Sequence, residues 1–347
     1  MNRKPTMKEL VTATQLSRAT IDRVLNNRPG VKARTVETVQ RAYSNLLVAA
    51  ADEVSSERSL HSEKFAARFG VVVQAGAEYN ESVQSAADRI QDKLGNQGIT
   101  LDLVSCSDVD DDAVVQLLIK QAEHTDGLAV VAKNTPVINA AIQKLRQQGK
   151  HIVALVSDLD PEARDAYVGI NNRAAGQAAG FILGRHLQRE ENPCVAVIVG
   201  TLSYSCHDDR EIGFRAQIRK TLPSVQVLEV VSGNDNTEQT YHAAKELFSK
   251  APNLCAVYNV AGGNAGLASA LDEYAGLVRP VVVTHEVNNV TEKLIREEKI
   301  DYILTQDISQ LLTVTAEKLT ALVMQQPVSS QTCLPIEIIT RFTLPAG

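Results

Sequence analysis

FGVVVQAGAEYNESVQSAADRIQDKLGNQGITLDLVS (69–105) opens on a β-branched run, passes through a segment of helical character and closes on a second β-rich run. Short apolar strands alternating with helices are the repeating unit of a parallel sheet covered by helices. The unit recurs along the chain. FGVVVQ (69–74), TLDLVS (100–105), GLAVVA (127–132), HIVALV (151–156) and AYVGI (166–170) make one series of expected strands. CVAVIVG (194–200), VQVLEVV (225–231), CAVYNV (255–260), VVVTH (281–285) and DYILTQ (301–306) make a second. A long helix expected from about Asn172 to Arg189 stands between them. The fold class is therefore α/β, with two doubly wound parallel-sheet lobes. Ligands in such folds bind in the crevice at the carboxyl ends of strands, here between the lobes.

Ahead of this core, TMKELVTATQLSRATIDRVLN (6–26) has a different character. Thr6 and Glu9 have the spacing of a capping box, so a helix is expected from about Met7. Leu10, Val11, Leu16, Ile21, Val24 and Leu25 are spaced for two short amphipathic helices sharing a small core, with a turn near Thr14 to Ser17. Arg18, Ala19, Asp22 and Arg23 are left outside. An exposed basic second helix is what a helix-turn-helix offers to the DNA major groove. Residues 1–45 hold nine Lys or Arg against three acids, a net +6, whereas the whole chain is −6. A basic head on an acidic body suits a polyanion-binding module joined to something that does not itself bind DNA, although a solvated basic appendage has the same charge.

The composition is that of an ordinary globular protein, at 347 residues with 44% hydrophobic and 22% charged. No apolar stretch approaches the length of a membrane span, and the polar N-terminus is unlike a signal peptide, so a cytoplasmic location is expected. Five cysteines (Cys106, Cys194, Cys206, Cys255, Cys333) lack metal-ligand spacing, and their odd number argues against a disulfide framework. They read as reduced thiols, with Cys206 in a loop.

Three stretches carry a resemblance to the lactose-repressor (LacI/GalR) family of transcriptional regulators. LSRATIDRVLNNRPGVKARTVETVQRA (16–42) resembles the second and third helices of that family's DNA-binding head. YVGINNRAAGQAAGFILGRHL (167–187) is similar to its Val-x-x-Asp-Asn segment and following helix, and DDREIGFRAQI (208–218) to its Arg-x-x-Gly-Phe stretch. The resemblance covers essentially the whole chain. It implies a helix-turn-helix head (1–46), a hinge or linker (47–68) and a two-lobed, periplasmic-binding-protein-like core (69–347). Lobe one is expected at about 69–190 plus 307–330, and lobe two at about 191–306 plus 331–347.

The resemblance makes Arg18, Ala19 and Arg23 readers of base edges. Each arginine can donate a bidentate pair to guanine, and Ala19 offers a methyl contact. Ser17, Thr20, Asn26 and Arg34 would contact phosphate, with an N-cap as a competing role for Ser17. Leu60 is the expected minor-groove wedge or, equally, a linker or core residue. There are departures. Asp22 replaces a Ser, Gln15 a turn Gly and Lys32 a cap residue, and the segment LLVAAADEVSSERSL (46–60) lacks the family's Tyr-x-Pro-Asn.

In the core, Asp158, Asn259, Glu286 and Gln306 stand at expected strand ends, and Arg210 opens the helix after the Tyr204 to His207 loop. The resemblance matches Arg210, Asp158, Glu286 and Gln306 to effector-contacting positions. Forked donors with carboxylate acceptors suit vicinal hydroxyls, although Arg210 could also clamp a carboxylate. Tyr79, beside Asn80 in the first strand-to-helix loop, and Tyr204 are the candidate flat walls. Salt bridges, caps and half-buried loop positions are the competing readings of these residues.

Catalysis is not expected. AGGNAGLASAL (261–271) lacks the phosphate-loop order and reads as a pocket edge. The run Asp108, Asp110, Asp111, Asp112 most simply caps a helix, and no H-x-x-x-H or G-x-S-x-G motif is present. His207-Asp208 and His285-Glu286 are the remaining acid/base pairs. The expectation is a DNA-binding repressor without cofactor or metal, acting as a homodimer on a near-palindromic operator and modulated by a small polar effector, a sugar or sugar derivative. A solute-binding receptor with no transcriptional role is the alternative.

Overall fold

The computed structural model describes residues 6–14, 16–25, 35, 38, 39, 42, 66–107, 109–228, 230–276 and 278–344. Gln15, Asn26, Lys32, Arg34 and Leu60, with nearly all of the expected hinge, lie outside them. The chain divides into two compact units, Met1–Phe65 and Ala66–Gly347.

In the N-terminal unit α1 (Met7–Thr14) and α2 (Arg18–Leu25) are two short helices. Leu10, Ile21, Val24 and Val39 are buried together, with Met7, Val11, Leu16 and Ala42 packed on them. Ser17 caps α2: its hydroxyl accepts from the Thr20 amide at 3.2 Å and meets the Thr20 hydroxyl at 2.9 Å. Arg18 and Arg23 are exposed, and Ala19 lies in the first turn of α2.

The larger unit runs β1 (Ala67–Gln74), α3 (Ala77–Gly95), β2 (Ile99–Cys106), α4 (Asp111–Ala122), β3 (Gly127–Val131), α5 (Pro136–Gln147), β4 (His151–Leu155), β5 (Ala166–Ile170), α6 (Asn172–Leu187), β6 (Cys194–Val199) and α7 (Ser205–Thr221). It continues with β7 (Gln226–Val227), β8 (Val231–Ser232), α8 (Thr237–Ser249), β9 (Leu254–Asn259), α9 (Asn264–Asp272), β10 (Val281–His285), α10 (Asn289–Arg296), β11 (Tyr302–Thr305), α11 (Ile308–Val323), β12 (Gln331–Leu334) and β13 (Glu337–Ile339). One sheet has the order β12-β5-β4-β3-β1-β2 and is parallel throughout. The other has the order β13-β11-β10-β9-β6-β7, with β13 antiparallel and β8 pairing the far end of β6.

The strands read as continuous apolar runs because both faces of each sheet are covered. Along β6, Cys194, Ala196 and Ile198 enter the core beneath α8, α9 and α10, while Val195, Val197 and Val199 enter the core beneath α6 and α7. That is the two-residue period of a strand buried on both sides. Loops deliver caps where expected: the Asp110 carboxylate accepts from the Ala113 amide at 2.8 Å, so the acid run does start a helix.

Three placements differ from the sequence reading. Helix α6, expected in lobe one, packs with α7 on the second sheet, because its small face (Gly176, Gly180) admits that neighbour closely. Strand β12, expected in lobe two, is the edge of the first sheet, pairing in parallel with β5. The run 225–231 is not one strand: β7 and β8 pair with opposite ends of β6. The chain therefore crosses between lobes three times, after β5, after β11 and after β12.

A Cβ at Gly176 would lie 1.9 Å from the Arg210 carbonyl oxygen, and one at Gly213 would lie 2.1 Å from that of Arg173. These contacts are backbone to backbone, so neither helix can yield without moving the other. Gly176→Ala is expected to destabilise by about 3 kcal/mol through overpacking. At Gly184 the nearest atom to an added Cβ is 3.6 Å away, so Gly184→Ala should be neutral or slightly stabilising. Urea midpoints of the two variants check the difference, and equal midpoints would refute the close approach.

Candidate functional site

Each sheet reverses its winding direction once, between β1 and β3 in the first and between β6 and β9 in the second. Residues just past the carboxyl ends of strands on both sides of each reversal line one cavity between the lobes. It lies in the position where doubly wound sheets hold ligands.

Arg210 organises the cavity. It is 3% exposed, and all three of its nitrogens donate to protein: Nε to Asn172 Oδ1 at 2.9 Å, Nη1 to the Val260 carbonyl at 3.1 Å and Nη2 to Glu286 Oε1 at 3.4 Å. Asn172, the first residue of α6, donates in turn to the Val156 carbonyl and to the Tyr167 hydroxyl, each at 3.2 Å. The second lobe's guanidinium is thus tied to the first lobe's strand ends. Burial pushes the Glu286 carboxyl above the usual carboxylate range, although Arg210 and Gln306 pull it down. His285 is held well below the ordinary imidazole range by burial and then by Arg210 and His207, so it is neutral; its Nε2 lies 2.8 Å from the Tyr258 hydroxyl.

Three non-glycine residues at the cavity wall have left-handed backbones, Val156 (φ 64°), Asp235 (φ 53°) and Glu286 (φ 62°). Val156 and Glu286 occupy equivalent places, directly after β4 and directly after β10. Each extends a ladder by one bond, Val156 N–H to Val168 O at 2.8 Å and Glu286 N–H to Leu304 O at 2.9 Å. A left-handed β-branched residue is a costly conformation, and such strain gathers at ligand sites.

The lobes touch across the cavity. Tyr204 donates its hydroxyl to the Gln74 carbonyl at 2.9 Å, and Asn134 bonds to Ser203 O and Ser205 Oγ at 2.7 and 3.0 Å. Cys206, in the first turn of α7 and buried, donates its amide to Ser157 Oγ at 3.4 Å. Burial alone would push the Cys206 thiol up, but His207, Arg210 and Ser157 outweigh it and hold the thiol below its ordinary range. Burial alone would lower His207, but Cys206 and Asp235 outweigh it and raise that imidazole. The sequence reading had placed Cys206 in a loop.

Residues 69–327 match the family described as periplasmic binding protein domain. The chain belongs to this family. The family's fold recurs in a glucose-galactose binding protein, GanP, from Geobacillus stearothermophilus (TM-score 0.73, 20% identity, 82% of this chain and 100% of that one). It recurs also in a solute binding protein from Burkholderia graminis C4D1M in complex with D-arabinose (TM-score 0.74, 19% identity, 82% and 99% covered). A curated relative, the HTH-type transcriptional repressor PurR of Salmonella newport, is 24% identical over 276 residues, 77% of this chain and 74% of the relative.

Of the residues expected to contact a ligand, this periplasmic binding protein domain brings Tyr79, Tyr204, Arg210 and Glu286 to the cavity. The other four do not line it. Asp158 is captured by Arg164 six residues on, with Nη2 to Oδ2 at 2.7 Å, and its other oxygen caps Leu159. Asn80 ties the ends of β1 and β2 together, donating to Ala75 O at 3.0 Å and Cys106 O at 3.2 Å. Asn259 braces the glycine turn at Gly262 O and Asn264 Oδ1, at 3.0 and 2.9 Å. Gln306 stands behind Glu286, donating to Oε1 at 2.8 Å.

Glu78, Ser157, Cys206 and Asp235 line the cavity without having been singled out by the sequence, and His207 and His285, expected only as acid/base pairs, line it too. Ala261, Gly262 and Asn264 do form a cavity edge, as AGGNAGLASAL suggested. Among the described residues no group of His, Cys, Asp and Glu is placed to hold a metal ion, and no helix is long and apolar enough to cross a membrane.

Burial raises the Glu78 carboxyl, with the Asp235 and Glu81 charges adding and a hydrogen bond from Asn288 opposing. The native state therefore holds this proton to higher pH than the unfolded chain, and stability falls as pH rises past the ordinary carboxylate range. Glu78→Gln removes that loss. The ligand-free variant should melt higher than the native protein near neutral pH and converge with it in mild acid, as read by thermal shift across that window.

Proposed function

We propose that the core of this chain is a receptor for a small polyhydroxylated molecule, a sugar or sugar derivative, held between its lobes, and that it works by binding rather than catalysis. One observation carries the reading. Glu78, Tyr79, His285 and Glu286 line the same cavity, the first two from the first lobe and the others from the second, and each has a buried atom with no hydrogen-bond partner: Glu78 Oε2, Tyr79 Oη, His285 Nδ1 and Glu286 Oε2. Each such atom costs roughly 1–3 kcal/mol while unpaired. A ligand with several hydroxyls would satisfy all of them and draw the lobes together. The sugar ligands named for the structures of like fold support this class. Asn264 and Tyr204 complete the expected contacts, with Arg210 and Gln306 orienting Glu286.

The N-terminal unit favours a second reading, in which this receptor controls transcription as a LacI/GalR-type repressor. Arg18 and Arg23 are exposed on the second of two short helices, in a segment of net positive charge, and repressors are among the curated relatives. In that reading Arg18, Ala19 and Arg23 face base edges, and Ser17 and Thr20 face phosphate. Asn26 and Arg34 add phosphate contacts and Leu60 wedges the minor groove, in a homodimer on a near-palindromic operator. Ligand binding and DNA binding would then be reciprocally coupled.

Tyr79→Phe removes a hydroxyl with no protein partner. It should raise the ligand-free melting temperature and weaken sugar binding about tenfold, roughly one hydrogen bond. Calorimetry with a monosaccharide panel checks this, and unchanged affinity for every hit would remove the cavity from the proposal. A gel shift of the intact protein on an operator library tests the second reading. Binding that weakens steeply with salt and is lost in Arg18→Ala supports it. No shift at low salt leaves a solute receptor alone.

A further inference from the structure

We infer that the molecule bound here carries a protonated amine as well as hydroxyls. This deepens the receptor reading and rests on it. Three carboxylates, Glu78, Asp235 and Glu286, line the cavity, and Arg210 is the one permanent cation among its described lining residues. Arg210 is committed: its three nitrogens already serve Asn172, Val260 and Glu286. Its charge answers Glu286 and leaves Glu78 and Asp235 over. Asp235 gives one oxygen to the Gly262 amide at 2.7 Å, a neutral partner that leaves the charge in place. Lys133 lines the outer cleft beside these two acids but not this cavity.

The histidines do not restore the balance. His285, which lines the cavity, is 2% exposed and neutral, and its Nδ1 has no partner. His207 shares its charge with the Cys206 thiol beside it. The unmet demand is thus mostly for donors, at Glu78 Oε2 and Glu286 Oε2, in a cavity with excess negative charge. A neutral sugar would supply donors but no charge. A carboxylate or phosphate would meet three like charges, so the acid-clamping role open to Arg210 in the sequence is closed in the fold. An ammonium group near Glu78 and Asp235, with hydroxyls toward Glu286, Tyr79 and His285, fills both needs. Opposite charges removed from water attract strongly enough to discriminate between otherwise identical ligands.

Calorimetry on the intact protein with a matched series tests the inference: a hexosamine, its N-acetyl form, the parent hexose, the corresponding uronic acid, and a polyamine without hydroxyls. The hexosamine should bind at least about tenfold tighter than its N-acetyl form and the parent, a preference that shrinks with added salt and in Glu78→Gln. Glu78→Gln is the informative variant because it should fold at least as stably as the native protein. If the parent hexose or the uronic acid binds as tightly as the amine, the inference fails while the receptor reading stands. If the polyamine binds and no sugar does, the polyhydroxyl reading fails and the demand for an amine stands. If none of the five binds, both are overturned.

Discussion

A guanidinium buried between two lobes is the constraint on which the rest of the cavity depends. Arg210 is brought to its place by backbone contact, since α6 and α7 meet where Gly176 and Gly213 leave no room for a side chain. Once buried, it must be paired or the fold pays several kcal/mol. Asn172, the Val260 carbonyl and Glu286 are its three answers, and each belongs to a different element. The position of Glu286, its backbone strain and the screen of Gln306 behind it follow from that requirement. An exposed arginine in the same helix would have imposed none of this.

The cavity is also left incomplete in a definite way. Every side-chain nitrogen and oxygen of Arg210, Asn172 and Tyr167 has a protein partner, whereas Glu78, Tyr79, His285 and Glu286 each keep one atom bare. Native interiors pair nearly all such atoms. Four of the eight unpaired buried atoms among the described residues belong to residues lining a single crevice, which is where the proposed ligand would restore the pairing. The same crevice holds three left-handed non-glycine residues among its lining, Val156, Asp235 and Glu286, so backbone strain and unmet polarity fall together.

Much of this was legible from residue order. Strand ends could be read from β-branched runs, and Tyr79, Tyr204, Arg210 and Glu286 follow strands closely enough to be picked out beforehand. Local competitors were not legible. Asp158 looked free until Arg164 closed on it, and Asn80 and Asn259 looked like ligand contacts when their amides serve neighbouring carbonyls. Asp235 was hidden because the preceding run pairs in two fragments, so no strand end pointed to it. The lobe assignment of α6 and β12 failed for a related reason. A helix or edge strand beside a chain crossing can cover either sheet, and small glycines and pairing partners far away in the chain decide which.

The three crossings between lobes carry a consequence for how the chain acquires its structure. The second sheet is built almost wholly from a continuous segment, β6 to β11, and borrows only the short antiparallel β13. The first sheet needs β12 and the cover of α11, both encoded after the second lobe is complete. Contacts between distant parts of a chain form slowly because loop closure must precede them. The lobe that comes later in the chain is therefore the one able to mature first, with the earlier lobe finished around it by the returning C-terminal segment. The half carrying Arg210 and Glu286 would act as the template, and the half carrying Glu78 and Tyr79 would be added to a site already charged.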